Sequence, residues 1–280
     1  MNDIENLKQL RKEIFLVGYS GGMAHLASCY SCLEILYTLY CKNVLKIDVK
    51  NPKAPDRDRF ILSKGHAGLA LYSVLCESGF LTREQFHSYL KAGSKIGGEP
   101  CMRDLPFAEA STGSLGHGLS MGIGIAIAQK LDKTTSRTFV VLGDGELEEG
   151  TIWEAAMSAK AFELDNIVAI LDANEIQKMD SIEKTIGLNN WKEKWQSFGW
   201  QVEDVDGHNI DALRNVLIEK NLEKTPRLII AHTVKGKGIS IMENNPAWHF
   251  KLPNKKELAI FKTELGITEE ELETVCKERI

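Results

Sequence analysis

No stretch of this chain approaches the roughly 20 consecutive apolar residues needed to cross a bilayer, and the first residues, MNDIENLKQLRKE, lack the apolar core of a secretory signal. These absences exclude a membrane span and lead us to expect a cytoplasmic protein. An excess of basic charge is also missing. A formal net charge of -5 provides no electrostatic footprint for nucleic acid or an anionic membrane. The six cysteines are scattered, and although Cys29 and Cys32 form a CxxC, no second pair or nearby histidine set completes a zinc site. Ordinary reduced thiols on helices are expected. There is no internal repeat or low-complexity segment, and beyond Pro253 the chain is charged and helical in pattern, without the apolar mass for a second domain. One domain over residues 1–280, ending in a charged helical tail from about 253, is the expectation.

What is present is a full core. Apolar content of 43% and charged content of 26% across 280 residues are those of a soluble globular chain. The most informative stretch runs from Gly143 to Asn174. It follows a short β-branched run, Thr138 to Leu142, of the kind that forms a buried parallel strand. A Gly-Asp-Gly turn comes next, then a helical pattern through Trp153, Ala156, Ala159 and Ala161. A second buried run, Ile167 to Leu171, ends in Asp172-Ala173-Asn174.

In a strand-helix-strand crossover both parallel strands end on the same sheet edge, where open α/β sheets bind ligands. Asp144 and Asn174 are therefore expected to converge. A carboxylate, an amide oxygen and a backbone carbonyl near Ile176 suit Mg²⁺, a hard ion that takes its remaining ligands from water and phosphate. Gly143 and Gly145 leave room for a diphosphate beside a helix N-terminus. Taken alone, Gly-Asp-Gly is a common turn and Asp-Ala-Asn a loop; the two flanking buried strands are what give them weight.

The rest of the chain alternates strands and helices. A helix is expected over residues 3–17, with Ile4, Leu7, Leu10, Ile14 and Val17 at helical spacing, and another over about 31–42, after the Ser20-Gly21-Gly22 break. His25, just past that break, is either a substrate contact or a helix-start residue. A short strand at Phe60-Ile61-Leu62 runs into Ser63-Lys64-Gly65-His66-Ala67 and a helix to about Ser78. This junction is either an anion contact or a solvated turn. Residues 91–112 are glycine-rich and irregular, and a loop this long is usually functional or disordered. It leads into Gly113-Ser114-Leu115-Gly116 and a small-residue helix, Leu119 to Leu131, read as buried or subunit-facing. A helix over Asn189–Phe198, a strand over 200–205, a helix over 210–221 and a strand over 226–231 complete the pattern, which predicts an α/β fold with a mainly parallel sheet and helices on both faces. Lys235 and Lys237, past the last strand, either offset diphosphate charge or are solvated loop lysines.

Five ordered blocks carry a resemblance. SKGHA at 63–67, STGSLGHGLS at 111–120, GDGELEEGTIWEA at 143–155, the Asp-Ala-Asn block, and HTVKGKG with Trp248-His249 resemble the thiamine diphosphate-binding half of transketolase, over nearly the whole chain. The resemblance implies the thiamine diphosphate-binding fold, with Asp144, Asn174 and the Ile176 carbonyl as Mg²⁺ ligands. It implies that Gly143, Gly145 and Glu146 lie beside the diphosphate and that Gly113, Ser114 and Leu115 lie beside the cofactor rings. His66 and His249 would flank the cofactor and the reacting carbons, His25 the sugar, and Lys235 the cofactor. His25, His66 and His249 are the candidate catalytic residues.

Two departures stand out. The family's Gly-His-Pro is replaced by Gly97-Gly98-Glu99-Pro100, and its Trp-His-Gly by Trp248-His249-Phe250. Donor specificity is expected to have moved. The family's second, pyrimidine-binding domain supplies a catalytic glutamate, and this chain stops about where that domain would begin. The resemblance therefore implies a split transketolase of the pentose phosphate type, in which a separate C-terminal subunit completes a heterotetramer of two and two. The alternatives are a specialised transketolase acting on a modified sugar, the alpha-type subunit of a 2-oxo acid dehydrogenase, and a non-catalytic cofactor-binding subunit.

Overall fold

The computed structural model describes residues 2–105, 107–187 and 190–278. Five strands, β1 (Arg59–Leu62), β2 (Thr138–Gly143), β3 (Ile167–Ala173), β4 (Gln201–Asp206) and β5 (Arg227–His232), form one parallel sheet in the order β1-β2-β3-β5-β4. The period of two along each strand divides the apolar residues between two cores. Phe60, Leu62, Phe139, Val141, Val168, Ile170, Ile229 and Ala231 enter one core, while Ile61, Val140, Leu142, Ile167, Ala169, Leu171, Leu228 and Ile230 enter the other. Both faces of the sheet are therefore covered, as the near-continuous apolar runs predict.

Helices α1 (Asp3–Ser20), α2 (Leu26–Ser31), α3 (Leu33–Cys41) and α4 (Gly68–Glu77) fill the first core, after which comes the short α5 (Arg83–His87). The second core is closed by α6 (His117–Leu131), α7 (Gly150–Ala161) and, beyond the single-turn α8 (Ile182–Thr185), α9 (Trp191–Ser197). Then α10 (Ile210–Ile218) returns to the first face, packing on α3. The segment past 253 is helical. It forms α11 (Lys255–Leu265) and α12 (Glu269–Glu278), and Phe261, Leu265, Ile267 and Leu272 bury with Phe15 against α1.

Local chemistry fixes several of these elements. Asn2 and Glu5 form a capping box on α1, Asn254 and Glu257 another on α11, and Gly266 ends α11 in the left-handed conformation at φ 65. The helix expected over about 31–42 is two helices, α2 and α3, broken at Cys32. Asn189, where the sequence reading starts a helix, lies outside the described residues. The described helix begins at Trp191. Small residues in α6 allow close approach to the sheet, since a Cβ on Gly122 would stand 2.6 Å from Val140 Cγ2. Among the described residues no helix is long and apolar enough to cross a membrane.

Candidate active site

The ends of β2, β3 and β5 meet at one edge of the sheet. Gly143 pairs with Asp172, and Ala173 with His232, so the residues that follow each pair leave the sheet together. Asp144 is buried and accepts from the backbone N–H of Gly145 at 2.8 Å and of Glu175 at 2.5 Å. Asn174 Oδ1 accepts from Ile176 N at 3.2 Å. Glu175, between Asn174 and Ile176, takes a left-handed conformation at φ 60, uncommon for a residue with a side chain. The Ile176 carbonyl accepts from Lys235 Nζ at 2.6 Å, which brings in the loop after β5.

Beneath these groups is a buried ion pair that the sequence motifs contain but do not announce. Asp172 accepts from Lys64 Nζ, from Thr233 Oγ1 and, at 2.6 Å, from Ser31 Oγ. Burial pushes the Lys64 ammonium down, but the charge and hydrogen bond of Asp172 outweigh it and hold the ammonium above its usual range. Burial likewise pushes Asp172 up, but Lys64, with the hydroxyls of Ser31 and Thr233, brings it below the ordinary carboxylate value. The pair therefore stays ionic. Removing one partner would leave an uncompensated buried charge.

Glu146 is a strut. Its carboxylate accepts from Ser63 Oγ, from Gly116 N at 2.9 Å and from Gly143 N at 3.1 Å, tying three segments around the site. Burial raises its carboxyl above the usual range.

These groups open into a cavity of about 310 Å³. His25, His66, His249, Lys235, Asp144 and Asn174 line it, as do Ile176, Glu146 and the glycines 113, 143 and 145, with Leu115. Ser114 is exposed and is not among the lining residues. The cavity also admits Gln177 and Lys178, which the sequence reading did not select, and Glu99, which it named only as a departure from the family. A Cβ on Gly113, at φ 135, would stand 1.9 Å from Glu99 Oε2, so the glycine makes room for that side chain.

The three histidines form a cluster. Ring centroids lie 5.2 Å apart for His25 and His66, 5.4 Å for His25 and His249, and 5.6 Å for His66 and His249. Phe250 stands 4.6 Å from His25, and its ring is half exposed. Lys235 Nζ is 3.3 Å from His249 Nδ1. Burial, helped by the Lys235 charge, lowers His25 to about 4 and His249 to about 3. Burial and the Lys64 charge also hold His66 well below its usual value. All three are neutral imidazoles near pH 7, each offering one donor and one acceptor.

The CxxC has no such chemistry. Cys29 and Cys32 are free and buried, and burial pushes the Cys29 thiol up to about 12 and Cys32 further. The Cys276 side chain lies outside the description. Among the described residues no three His, Cys, Asp or Glu side chains converge as metal ligands. A cation here would rely on one carboxylate, an amide and a carbonyl.

The sequence matches the family described as transketolase, thiamine diphosphate binding domain, over residues 19–279. The chain belongs to this family. Its relatives include a subunit of the apulose-4-phosphate transketolase of Phocaeicola vulgatus, 39% identical, the aligned region covering 88% of each chain. A 6-deoxy-6-sulfo-D-fructose transketolase subunit of a Clostridium species is 37% identical over 81% of this chain and 83% of that one. Among solved structures, the transketolase of Leishmania mexicana superimposes with a TM-score of 0.85 at 25% identity, covering 99% of this chain and 44% of that one. The thiamine diphosphate-binding fold read from the sequence is thus the fold observed.

Proposed function

We propose that this chain is the N-terminal subunit of a two-subunit transketolase that moves a two-carbon ketol unit from a ketose to an aldose, with thiamine diphosphate and Mg²⁺. One observation carries the reading. In a chain of this family, an Asp144–Asn174–Ile176 oxygen set and a cluster of three neutral histidines open into the same cavity.

The residues suit a magnesium diphosphate. Asp144, Asn174 and the Ile176 carbonyl are hard oxygen donors, and one carboxylate among three protein ligands leaves the charge to be completed by phosphate. Burial and the neighbouring Asp172 raise Asp144 to about 6, a state that a divalent cation would reverse. Lys235, lowered to about 8 by burial and the Lys64 charge, already donates to the Ile176 carbonyl and would help to neutralise the anion. Gly143 and Gly145 leave backbone accessible beside it, and Gly113 and Leu115 would flank the rings. Thiamine diphosphate, when bound, supplies the carbon nucleophile for a ketose carbonyl and carries the two-carbon unit. His25, His66 and His249 would hold sugar hydroxyls and pass protons at their ring nitrogens, where neutral imidazoles can accept and return them.

The reading includes a C-terminal partner that supplies the pyrimidine-binding domain and its glutamate, in a heterotetramer acting in the cytoplasm. The free cysteines are in keeping with a reducing compartment. We also take the described residues as one folding unit, because α11 and α12 share the core of α1.

A specific observation bears on the donor. The Glu99 carboxylate lines the cavity with no hydrogen bond or ion pair among the described residues, and Phe250 stands over His25. A carboxylate accepts from hydroxyls, and an exposed ring favours a less hydroxylated carbon. Both support a donor other than the common ketose phosphates, in line with the sugars in the names of the two relatives. The test is ketol transfer by the assembled subunits across unmodified, branched and sulfonated ketoses. Preference for a modified donor is expected. Equal turnover of all donors would refute the specialised reading.

A further inference from the structure

Lys235 sits on a loop whose two flanks are held by one carboxylate outside the cavity. His208, in the turn between β4 and α10, does not line the cavity, yet its Nε2 accepts from Val234 N at 2.8 Å, one residue before Lys235. Its Nδ1 lies 3.2 Å from Glu34 Oε2, a close polar approach that falls short of hydrogen-bond geometry. The other Glu34 oxygen accepts from Arg11 at 2.6 Å, and Arg11 Nε donates to Lys237 O at 2.9 Å, two residues after Lys235. Between these grips, Gly236 N donates to Ala27 O at 3.0 Å.

The chain gives up side chains to make this contact. A Cβ on Gly207 would stand 2.4 Å from Thr233 Cγ2 and 2.9 Å from the His232 carbonyl, so only glycine lets the β4–α10 turn close onto the loop. Because Nε2 accepts a backbone N–H, the His208 proton resides on Nδ1, facing Glu34. Burial raises Glu34, but His208 and Arg11 outweigh it and keep the carboxylate ionised.

We propose that Glu34, with Arg11 and His208, forms a clamp that sets Lys235 in the cavity for an anionic diphosphate, and that His208 is a positioning residue for that lysine. The inference rests on the diphosphate reading of the site. A lysine on an unclamped loop would lose rotamer and backbone freedom each time it met an anion. The clamp orders the backbone in advance.

The test measures affinity for thiamine diphosphate with Mg²⁺ by calorimetry, using the full chain assembled with its C-terminal partner, alongside the ligand-free Tm. His208→Ala is expected to weaken affinity roughly ten- to hundredfold, in the range found for outer residues that orient ligands. His208→Gln should recover most of it, since its amide can accept from Val234 and donate to Glu34. In a Lys235→Ala background, His208→Ala should have no further effect. A lowered Tm with unchanged affinity, or losses that multiply in the double variant, would overturn the clamp. A complex that shows the predicted affinities but transfers no ketol unit would sink the transketolase reading and leave the clamp standing. A wild-type complex that binds no cofactor would remove both.

Discussion

Asp144 and His25 carry opposite lessons about burial. Asp144 is a carboxylate placed where it is costly to ionise, a cost that the divalent cation we propose would offset. Asp144→Ala should reduce Mg²⁺-dependent cofactor affinity by roughly a hundredfold or more, above what outer-residue changes cost. Calorimetry on the assembled complex would measure this, and a smaller loss would point to a different metal ligand. His25 is a base held neutral. Its pKa falls from 6.5 to about 4 on folding, chiefly by burial. The unfolded chain therefore binds more protons between pH 4 and 6.5, and the contribution to stability present above pH 6.5 is lost as pH falls through that window. His25→Gln should flatten part of the decline in Tm between pH 6.5 and 4. Identical pH profiles for variant and wild type would contradict the assignment.

The strands position everything else, and α6 shows how tightly the helices must follow. Gly122 leaves no room for a methyl group against Val140 Cγ2, so Gly122→Ala should lower Tm by several degrees despite alanine's better helix propensity, through overpacking of about 1–3 kcal/mol. A raised Tm in a melting experiment would show that the interface can give. These strands were readable beforehand because buried parallel strands are β-branched runs, and the paired ends of β2 and β3 brought Asp144 and Asn174 together as expected from the crossover. The break at Cys32 and the short helices α5 and α8 were not readable, since a single turn leaves no periodicity. Lys64 and Asp172 stood inside recognisable motifs, yet their ion pair joins two distant segments and is a tertiary fact. Glu99, Gln177 and Lys178 reach the cavity by loop paths that follow no repeat. Ser114 sits in its motif but faces outward.

We read the molecule as a whole as one contributor to a shared active site. Solved relatives such as the Leishmania mexicana transketolase are more than twice the length that this chain covers, and relatives of similar length are named as subunits. In the function we propose, the cavity supplies the diphosphate and histidine side of the chemistry and the partner supplies the glutamate of the pyrimidine-binding domain. The decisive measurement is ketol transfer with thiamine diphosphate and Mg²⁺ by this chain on its own, by its C-terminal partner on its own and by the two mixed. Our account predicts turnover only in the mixture, abolished when Asp144→Ala replaces the wild-type chain. Turnover by either component without the other, or a cofactor-loaded mixture that transfers no ketol unit from any donor, would contradict it.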